Sequence, residues 1–541
     1  MTMSGSGQTF AEQPPQRLDG SWGGLGADLD GYVDAVMRAW GVPGLAVAVV
    51  KDGKPFGGGF GLREVGRAEP VGIDTIFGIG SVTKTFTGLD VALLADRGLI
   101  DWDAPITRYL PDLRYADPKT TDRATVRDLA AHRVGVDSDL AWMVRGDPFE
   151  AIVARNQYIP PAAPFGAFVY SNVGYASLGL LVEAISGRSW DDFTQTEVFA
   201  PLGMSRSSTR PGYVAPSAPL ARSWLGMAPA EAKPGLAGLA EDRNVSAPHG
   251  LAEDGQDQSP NGHRGVRLWP WRYLSSAAPA GSINSTARDL ARYMLFQLGD
   301  GAVDGRRVIS QAQLLATHTR NASRPSAAAA AADGFEAFDR RIDQQGYGLG
   351  WQTSRYRGRQ LVHHAGGMPG YAANLWMSPS DGLGVAVLTN LDYRYNAAFR
   401  AVTERVFGHF LGLPSLNEAE IMVARWSPRV EGHMIPLPDP AAAAPARALV
   451  DQMVGQYHSD EVGELSITLQ GGRLIARFDV ECTAELLPTD TPGSFVMVFH
   501  DAFRWRASAA FDGGDSGRRP TLTLGAWSGD QQPHVFEKAA P

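Results

Sequence analysis

The chain has 541 residues, 44% of them hydrophobic, so it can bury a large core and form more than one domain. Its formal net charge is −9 and no basic block stands out, which argues against nucleic acid as a partner. The single cysteine, Cys482, excludes an internal disulfide framework. Apolar runs never reach eighteen residues, so neither a spanning helix nor a membrane partner is predicted.

The first part of the chain predicts an arm, a helix and two β-runs. Residues 1–24 are polar and show no apolar leader, so we expect a flexible arm and a cytoplasmic location. A leader missing because of an alternative start codon would make the location periplasmic. A helix is predicted from about Leu29 to Trp40. The glycine-rich run at 57–61 is interpreted as a closely packed strand rather than a phosphate loop.

A Ser-x-x-Lys run at Ser81 and Lys84 is the most informative feature of the sequence. Residues three apart on a helix share a face, so the Lys84 amine can reach the Ser81 hydroxyl. A serine hydroxyl becomes a strong nucleophile when a neighbouring group takes its proton. The spacing alone occurs by chance on many helices. Here Gly78 and Gly80 precede the serine, and an apolar helical run follows and ends at Gly98.

A second motif, Tyr170-Ser171-Asn172, lies in a helical region predicted over about 125–199. We expect Tyr170 on a loop and an apolar core helix over about 174–185. A tyrosine can hold or relay the serine proton if a lysine cation stabilises its phenolate. An asparagine amide can donate to a substrate carbonyl and accept from a lysine. The alternative is a buried tyrosine with a satisfied hydroxyl.

Residues 205–275 are rich in Pro, Gly and Ala and predict a loop-rich insertion near the mouth of a cleft. Trp269, Trp271 and Tyr273 either line a substrate wall or anchor this insertion. Regular structure is then predicted to resume in four strands and one helix, at about 347–353, 360–363, 372–377, 385–390 and 398–410.

The third motif is His364-Ala365-Gly366-Gly367. Small residues let a substrate backbone approach an edge strand closely. A histidine can anchor a polar or anionic substrate group, or help to set proton positions. The alternative is a glycine-rich turn with a solvent-facing histidine. Paired Cys or His clusters and nucleotide loops are absent from the sequence, so no metal site and no cofactor is predicted.

The C-terminal region differs in composition from the rest. Residues 431–446 read as a Pro/Ala linker, and residues 447–541 as short alternating strands with a hairpin at Gly471-Gly472. A region of this length suits one small antiparallel barrel or sandwich. The five predicted strands lie at about 464–469, 474–478, 485–487, 494–500 and 521–524.

Taken in order, the three motifs resemble those of the serine β-lactamase and penicillin-binding-protein superfamily, in the branch of class C β-lactamases, DD-peptidases and D-aminopeptidases. The resemblance covers roughly residues 25–410. It implies an α/β, β-lactamase-like two-lobed fold, with an antiparallel sheet flanked by helices, a helical lobe, and the active site between the lobes. The implied hydrolase domain spans 25–430, and a lipocalin-like β-barrel domain follows at 447–541.

The resemblance also implies roles for the motif residues. Ser81 would be the acylated nucleophile, and Lys84 and Tyr170 would share general-base and general-acid work. Asn172 would orient the substrate and the lysine. The backbone amides of Ser81 and Gly367 would form an oxyanion hole.

The remaining residues of the third motif, Ala365 and Gly366, belong to the implied substrate-binding strand. His364 stands where the β-lactamases proper carry a lysine. The resulting His-x-Gly pattern is similar to that of D-aminopeptidase-like and other peptidase or esterase branches. His132 resembles a helix-end histidine of the family, and we interpret it as structural.

Three functions follow from the resemblance. The first is a peptidase or amidase acting on small or non-standard peptides; a narrower likeness to sphingomonad peptidases of linearised microcystin belongs here. The second is an esterase or weak β-lactamase using the same site. The third is an inactive penicillin-recognition fold used for binding or assembly. The expected partners are a small-molecule substrate and further copies of the chain in a homo-oligomer.

Overall fold

A computed structural model describes most of the chain. The described residues are 16–17, 26–137, 146–210, 244–251, 265–269, 274–324, 342–414, 438, 445–478, 482–499, 506–514, 518–525 and 533–539. Trp271 and Tyr273, two of the three aromatic residues of the insertion, lie outside them. The predicted linker at 431–446 also lies outside them, except for residues 438, 445 and 446.

A nine-stranded antiparallel sheet forms the centre of the larger unit. Its strands, in spatial order, are Gln16–Arg17, Lys54–Gly61, Gly44–Lys51, Leu383–Thr389, Tyr371–Ser378, Arg359–Met368, Gln352–Tyr356, Ile342–Tyr347 and Ala322–Ser323. The predicted strands at 360–363 and 372–377 lie within two of them, and the one predicted at 385–390 is confirmed except for its last residue.

The central strands are buried on both faces, since successive side chains of a strand point to opposite sides. In the strand Gly44–Lys51, Val47 and Val49 pack in one apolar cluster, while Ala46 and Ala48 pack in another. The first cluster includes the helices Gly26–Trp40 and Ala398–Phe410, and the second includes the helix Ala287–Leu298 and the helical lobe. This arrangement confirms a sheet flanked by helices.

The helices of the described residues are assigned as follows. They span Gly26–Trp40, Thr83–Asp96, Pro118–Arg123, Val126–Ala130, Phe149–Val153, Asn172–Ser186, Trp190–Thr194, Ala200–Leu202, Ala278–Gly281, Ala287–Leu298, Gln311–His318, Ala398–Phe410 and Arg447–Met453. None of them is both long and apolar enough to cross a membrane.

The helix Thr83–Asp96, here called the nucleophile helix, is buried through its first twelve residues. It follows a single 3₁₀ turn over Gly80–Val82. Gly98 adopts a left-handed φ of +69° directly after the capping residue, which confirms the predicted glycine stop. The glycine-rich run 57–61 is a strand, as predicted: a Cβ on Gly59 would stand 2.3 Å from the Val71 carbonyl oxygen.

The strand predicted over 347–353 is wrong in one respect, because the chain turns in its middle. The segment divides into the strands Ile342–Tyr347 and Gln352–Tyr356. Gly350, with φ of +99°, packs against the nucleophile helix, and a Cβ there would lie 2.6 Å from the Lys84 carbonyl oxygen. Close passage of the helix therefore forces the turn.

The end of the insertion is fastened to the body of the protein. The Ser246 amide donates to the Ile76 carbonyl at 3.0 Å, just before the segment that leads to Ser81. The His249 ring bonds to the Asn390 carbonyl at 2.9 Å. Trp269 is buried against Tyr395, so for this aromatic residue the anchoring interpretation is the one that the structure supports.

The C-terminal strands close into an eight-stranded antiparallel barrel. They span Gly455–Ser459, Gly463–Gln470, Arg473–Arg477, Thr483–Pro488, Ser494–Phe499, Arg506–Asp512, Thr521–Leu524 and His534–Lys538. Five were predicted. The three others were not predicted, because Gly455–Ser459 and His534–Lys538 carry few apolar residues and Arg506–Asp512 fills two of its buried positions with alanine.

A buried carboxyl group on the nucleophile helix gives a prediction about stability. Asp90 is fully buried and accepts a hydrogen bond from Thr194 Oγ1 at 2.7 Å, and burial raises its pKa well above the usual value. Since the folded state then holds a proton that the unfolded chain releases, stability falls as pH rises above about 4. We expect Asp90→Asn to remove this loss, so its gain in thermal stability grows with pH.

Asp74 is the control of opposite sign. Both of its oxygens accept from Arg288, and that hydrogen bond is the first cause that lowers its pKa. Asp74→Asn is therefore expected to lower the melting temperature at neutral pH and to have less effect in acid. A melting curve of Asp90→Asn that runs parallel to wild type from pH 4 to pH 8 would contradict the assignment of Asp90 as a protonated buried group.

Candidate active site

The Lys84 amine connects the first two motifs. Its Nζ donates to Ser81 Oγ at 3.2 Å, to Asn172 Oδ1 at 2.7 Å and to the Ala280 carbonyl at 2.9 Å. Lys84 is fully buried, whereas Ser81 on the preceding 3₁₀ turn is partly exposed. A buried amine therefore lies behind a hydroxyl that a substrate can reach.

The second motif sits where a loop enters a helix. Ser171 caps the helix Asn172–Ser186 by accepting from the Gly174 amide at 2.9 Å, so Asn172 becomes the first helical residue. The Asn172 side chain then faces Lys84, while the Asn172 backbone amide donates to Asp137 Oδ1 at 3.0 Å. The loop and the core helix predicted for this motif are confirmed.

Tyr170, the last loop residue but one, lies with its ring over the lysine. The Lys84 Nζ is 4.6 Å from the ring centroid, within the range of a cation–π contact. A cation at this distance also favours the charged form of a phenol. The structure thus brings Ser81, Lys84, Tyr170 and Asn172 together.

The third motif lies in the second half of the strand Arg359–Met368, where one edge of the strand is not paired with another described strand. The neighbouring strand pairs with it only as far as His363, opposite Gln352. Within the described residues, no strand pairs with 364–368 on that side; we call this stretch the open edge. A two-residue turn follows Met368, and the alternation of an antiparallel ladder then directs the Gly367 amide toward the open edge.

Two glycines let this strand pass directly against the 3₁₀ turn Gly80–Val82, which carries Ser81. A Cβ on Gly366 would stand 1.9 Å from the Ile79 carbonyl oxygen and 3.0 Å from the Ser81 nitrogen. A Cβ on Gly80 would stand 2.6 Å from the Gly367 nitrogen. The backbone amides of Ser81 and Gly367 therefore belong to two segments in direct contact.

Substitution at Gly366 tests this close approach. Gly366→Ala is expected to push the strand away from Ser81 and to lower the acylation rate about a hundredfold or more, since misplacement by about 1 Å can have that effect. Gly408→Ala is the control, because a Cβ on this helical glycine meets nothing within 4 Å. The control should keep wild-type rates and melt at the same or a higher temperature. Equal acylation rates for both variants would contradict the packing argument.

His364 is 1% exposed and bonded at both ring nitrogens. Nε2 lies 2.9 Å from Tyr347 Oη, and Nδ1 lies 2.6 Å from the Ala365 carbonyl oxygen. Burial and then the Lys84 charge hold the His364 pKa well below its usual value, so the ring is neutral. The histidine is not the solvent-facing residue of the alternative interpretation, and it offers no fixed cation where a β-lactamase lysine would stand.

Sequence reasoning missed several members of the site. The Ala280 carbonyl binds Lys84, Tyr347 binds His364, and Asp137 binds the Asn172 amide. These contacts join residues 17, 35 and 196 positions apart, and no local pattern in the sequence predicts them. Among the described residues, no group of His, Cys, Asp and Glu side chains is arranged to hold a metal ion.

Comparison with known proteins identifies the family. The family model described as Beta-lactamase matches residues 29–406, well over half of the chain. The chain belongs to the beta-lactamase family. Members of this type, which include penicillin-binding-protein relatives, are serine hydrolases. The resemblance inferred from the three motifs is thereby confirmed.

Two relatives of this beta-lactamase-family protein show the range of the similarity. Unguisins hydrolase ungD of Aspergillus violaceofuscus is 24% identical over 476 residues, covering 82% of this chain and 77% of the relative. Penicillin-binding protein 4 of Amycolatopsis lactamdurans is 29% identical over 364 residues, covering 66% of this chain and 83% of the relative.

Solved structures share the fold. The octameric penicillin-binding protein homologue from Pyrococcus abyssi superposes with a TM-score of 0.56 at 19% identity, over 94% of this chain and 99% of that one. A class C beta-lactamase from Rhodobacter sphaeroides gives 0.51 at 20% identity, over 71% of this chain and 99% of that one. Together with the closed barrel, these matches confirm a β-lactamase-like fold with a C-terminal barrel domain.

Proposed function

We propose that this beta-lactamase-family protein hydrolyses small or non-standard peptides through an acyl-enzyme on Ser81. One observation carries the proposal: a fully buried Lys84 amine lies 3.2 Å from the hydroxyl of a partly exposed Ser81. The amine and the Tyr170 phenol are the two groups placed to exchange the serine proton.

The reaction has two halves. The Ser81 oxygen attacks the substrate carbonyl carbon, while its proton passes to Lys84 or Tyr170; the amides of Ser81 and Gly367 bind the oxyanion. The carbon–nitrogen bond then breaks, and the amine leaves with the proton. Water then attacks the ester carbonyl carbon and loses a proton to the same base. The bond between this carbon and the Ser81 oxygen breaks, the base returns its proton to that oxygen, and the carboxylic acid leaves.

The open edge supports a peptide as substrate. An extended peptide can add to an exposed strand edge through main-chain hydrogen bonds, and the small residues Ala365, Gly366 and Gly367 leave room for its backbone. The neutral His364 supplies no cation for a substrate carboxylate, which supports substrates other than β-lactam antibiotics. The relative named unguisins hydrolase makes unguisins one class to test, and linearised microcystin stays a prediction from the narrower likeness.

An esterase or weak β-lactamase activity is the second candidate, because an acyl-serine forms from esters and β-lactams as well as amides. The relative named Beta-lactamase in Escherichia coli, 29% identical over 213 residues, supports it. The third candidate, a binding or assembly fold, is disfavoured by the complete set of Ser81, Lys84, Tyr170 and Asn172. We also propose a homo-oligomer, supported by the octameric structural neighbour.

A substrate panel tests the proposal. Turnover is compared for matched L- and D-amino-acid amides, short linear peptides, p-nitrophenyl esters and a β-lactam, each with wild type and Ser81→Ala. We expect hydrolysis that depends on Ser81, with a higher kcat/KM for amides or peptides than for the other probes. Hydrolysis of esters alone favours the esterase candidate. No serine-dependent turnover of any probe contradicts the proposal.

A further inference from the structure

His132 holds the backbone on both sides of Tyr170. It follows the helix Val126–Ala130 in a left-handed conformation, with φ of +59°. Its carbonyl oxygen accepts from the Val169 amide at 2.9 Å, and its Nδ1 accepts from the Ser171 amide at 3.0 Å. The backbone amides on both sides of Tyr170 thus donate hydrogen bonds to the same residue, His132.

The same histidine also packs against the Tyr170 ring. The imidazole centroid lies 4.5 Å from the ring centroid of Tyr170 and 4.5 Å from that of Tyr347. His132 is 1% exposed, so its imidazole is almost fully shielded from solvent. Lys84 lies 4.6 Å from the Tyr170 centroid. The phenol is therefore held by contacts to its ring and to its backbone.

The bond from Ser171 fixes which nitrogen of His132 carries the proton. Nδ1 accepts a hydrogen bond and is therefore unprotonated, which places the proton of the neutral ring on Nε2. Burial first, and then the charges of Lys84, His364 and Arg324, hold the His132 pKa well below its usual value. Protonation would place an N–H against the Ser171 N–H and break the bond.

The imidazole also borders a small pocket whose lining includes three polar side chains and several apolar ones. His132, Tyr115 and Asn156 line it together with Val169 and other residues. Within the described part of the chain, His132 Nε2, Tyr115 Oη and Asn156 Oδ1 are all buried with no protein partner. A water molecule needs two to four polar partners, and one donor, one acceptor and one hydroxyl meet that need.

We propose that His132 is the positioning residue of Tyr170, and that ordered water shared with Tyr115 and Asn156 holds its Nε2–H. The inference rests on the proposed function, because Tyr170 is assigned its proton-transfer role there. His132 itself touches neither substrate nor reacting atoms. It sets the place of a group that does.

Two substitutions isolate the Nδ1 bond. Glycine and asparagine both tolerate a left-handed φ, so neither adds backbone strain at position 132. His132→Asn keeps an acceptor near the Nδ1 position, whereas His132→Gly removes it and the ring. His318→Asn is the control, since His318 is also a buried histidine, packed on Trp351 and bonded to Gln297, outside the site.

The readout is the rate of Ser81 acylation, with KM and melting temperature measured beside it. We expect His132→Gly to lose about a hundredfold in rate at nearly constant KM, and His132→Asn to stay within about tenfold of wild type. His318→Asn should lose melting temperature without losing rate. Equal losses in the Gly and Asn variants, or a wild-type rate in the Gly variant, overturn the proposal.

Two structural measurements complete the test. The ¹⁵N NMR shifts of His132 should report the Nε2–H tautomer between about pH 6 and pH 8, and a crystal structure should show water within hydrogen-bond distance of all three polar atoms. Observation of the Nδ1–H tautomer would overturn the proposed bond from the Ser171 amide to Nδ1. A pocket without water would overturn the proposed water contact at Nε2. A wild-type chain that no probe acylates overturns the proposed function instead, and the two failures are thereby distinguished.

Discussion

Replacement of Ser81 by alanine is expected to abolish turnover of every ester, amide or peptide that the wild type hydrolyses. Removing the nucleophile of an acyl-transfer site typically lowers kcat by a factor of about 10⁶. Folding should be unaffected, because Ser81 is partly exposed and the change removes only one oxygen. Initial rates and melting curves of Ser81→Ala and wild type measure both effects.

Ser186→Ala is the matched control for this experiment. Ser186 ends the helix that carries Asn172, and its hydroxyl bonds locally to Arg188. Its removal should leave turnover at the wild-type level. Residual turnover in Ser81→Ala above a tenth of wild type would mean that another group attacks the substrate.

Loss of either proton-transfer group is the second large expected effect. Lys84→Met keeps the length of the side chain but removes the amine and its three hydrogen bonds. Tyr170→Phe keeps the ring packed against His132 and removes only the hydroxyl. Each is expected to lower the acylation rate by about 10²–10⁴-fold, the usual contribution of an acid–base group.

Lys84→Arg separates charge from proton transfer. Arginine keeps a cation near Tyr170 but does not release its proton. We therefore expect no rescue. Losses below about tenfold in both Lys84→Met and Tyr170→Phe would show that a different group takes the serine proton.

The motifs could be located from sequence because their geometry is local. The spacing of Ser81 and Lys84 places both on one side of a turn, and Asn172 follows a serine that caps its helix. The alternation of strands likewise revealed five of the eight barrel strands. Period and capping are properties of a few neighbouring residues, so a single sequence carries them.

What escaped prediction depends on contacts between distant segments. The turn at Gly350 exists because the nucleophile helix passes there, and the neutrality of His364 arises from its burial and from the Lys84 charge. His132 was interpreted as structural, and its hold on both sides of Tyr170 becomes visible only when 132 and 169–171 are placed together. Neither the composition of the sequence nor the spacing of its residues encodes these contacts between distant segments.

Intact-protein mass spectrometry of the trapped acyl-enzyme tests most directly whether Ser81 is the acylated nucleophile. Wild type and Ser81→Ala are mixed with a p-nitrophenyl ester, a β-lactam and activated D- and L-peptide esters, quenched in acid and mapped by peptide digestion. We expect an adduct of the acyl mass on the peptide that contains Ser81, and no adduct in the alanine variant. An adduct on another residue, or on both proteins, would contradict it.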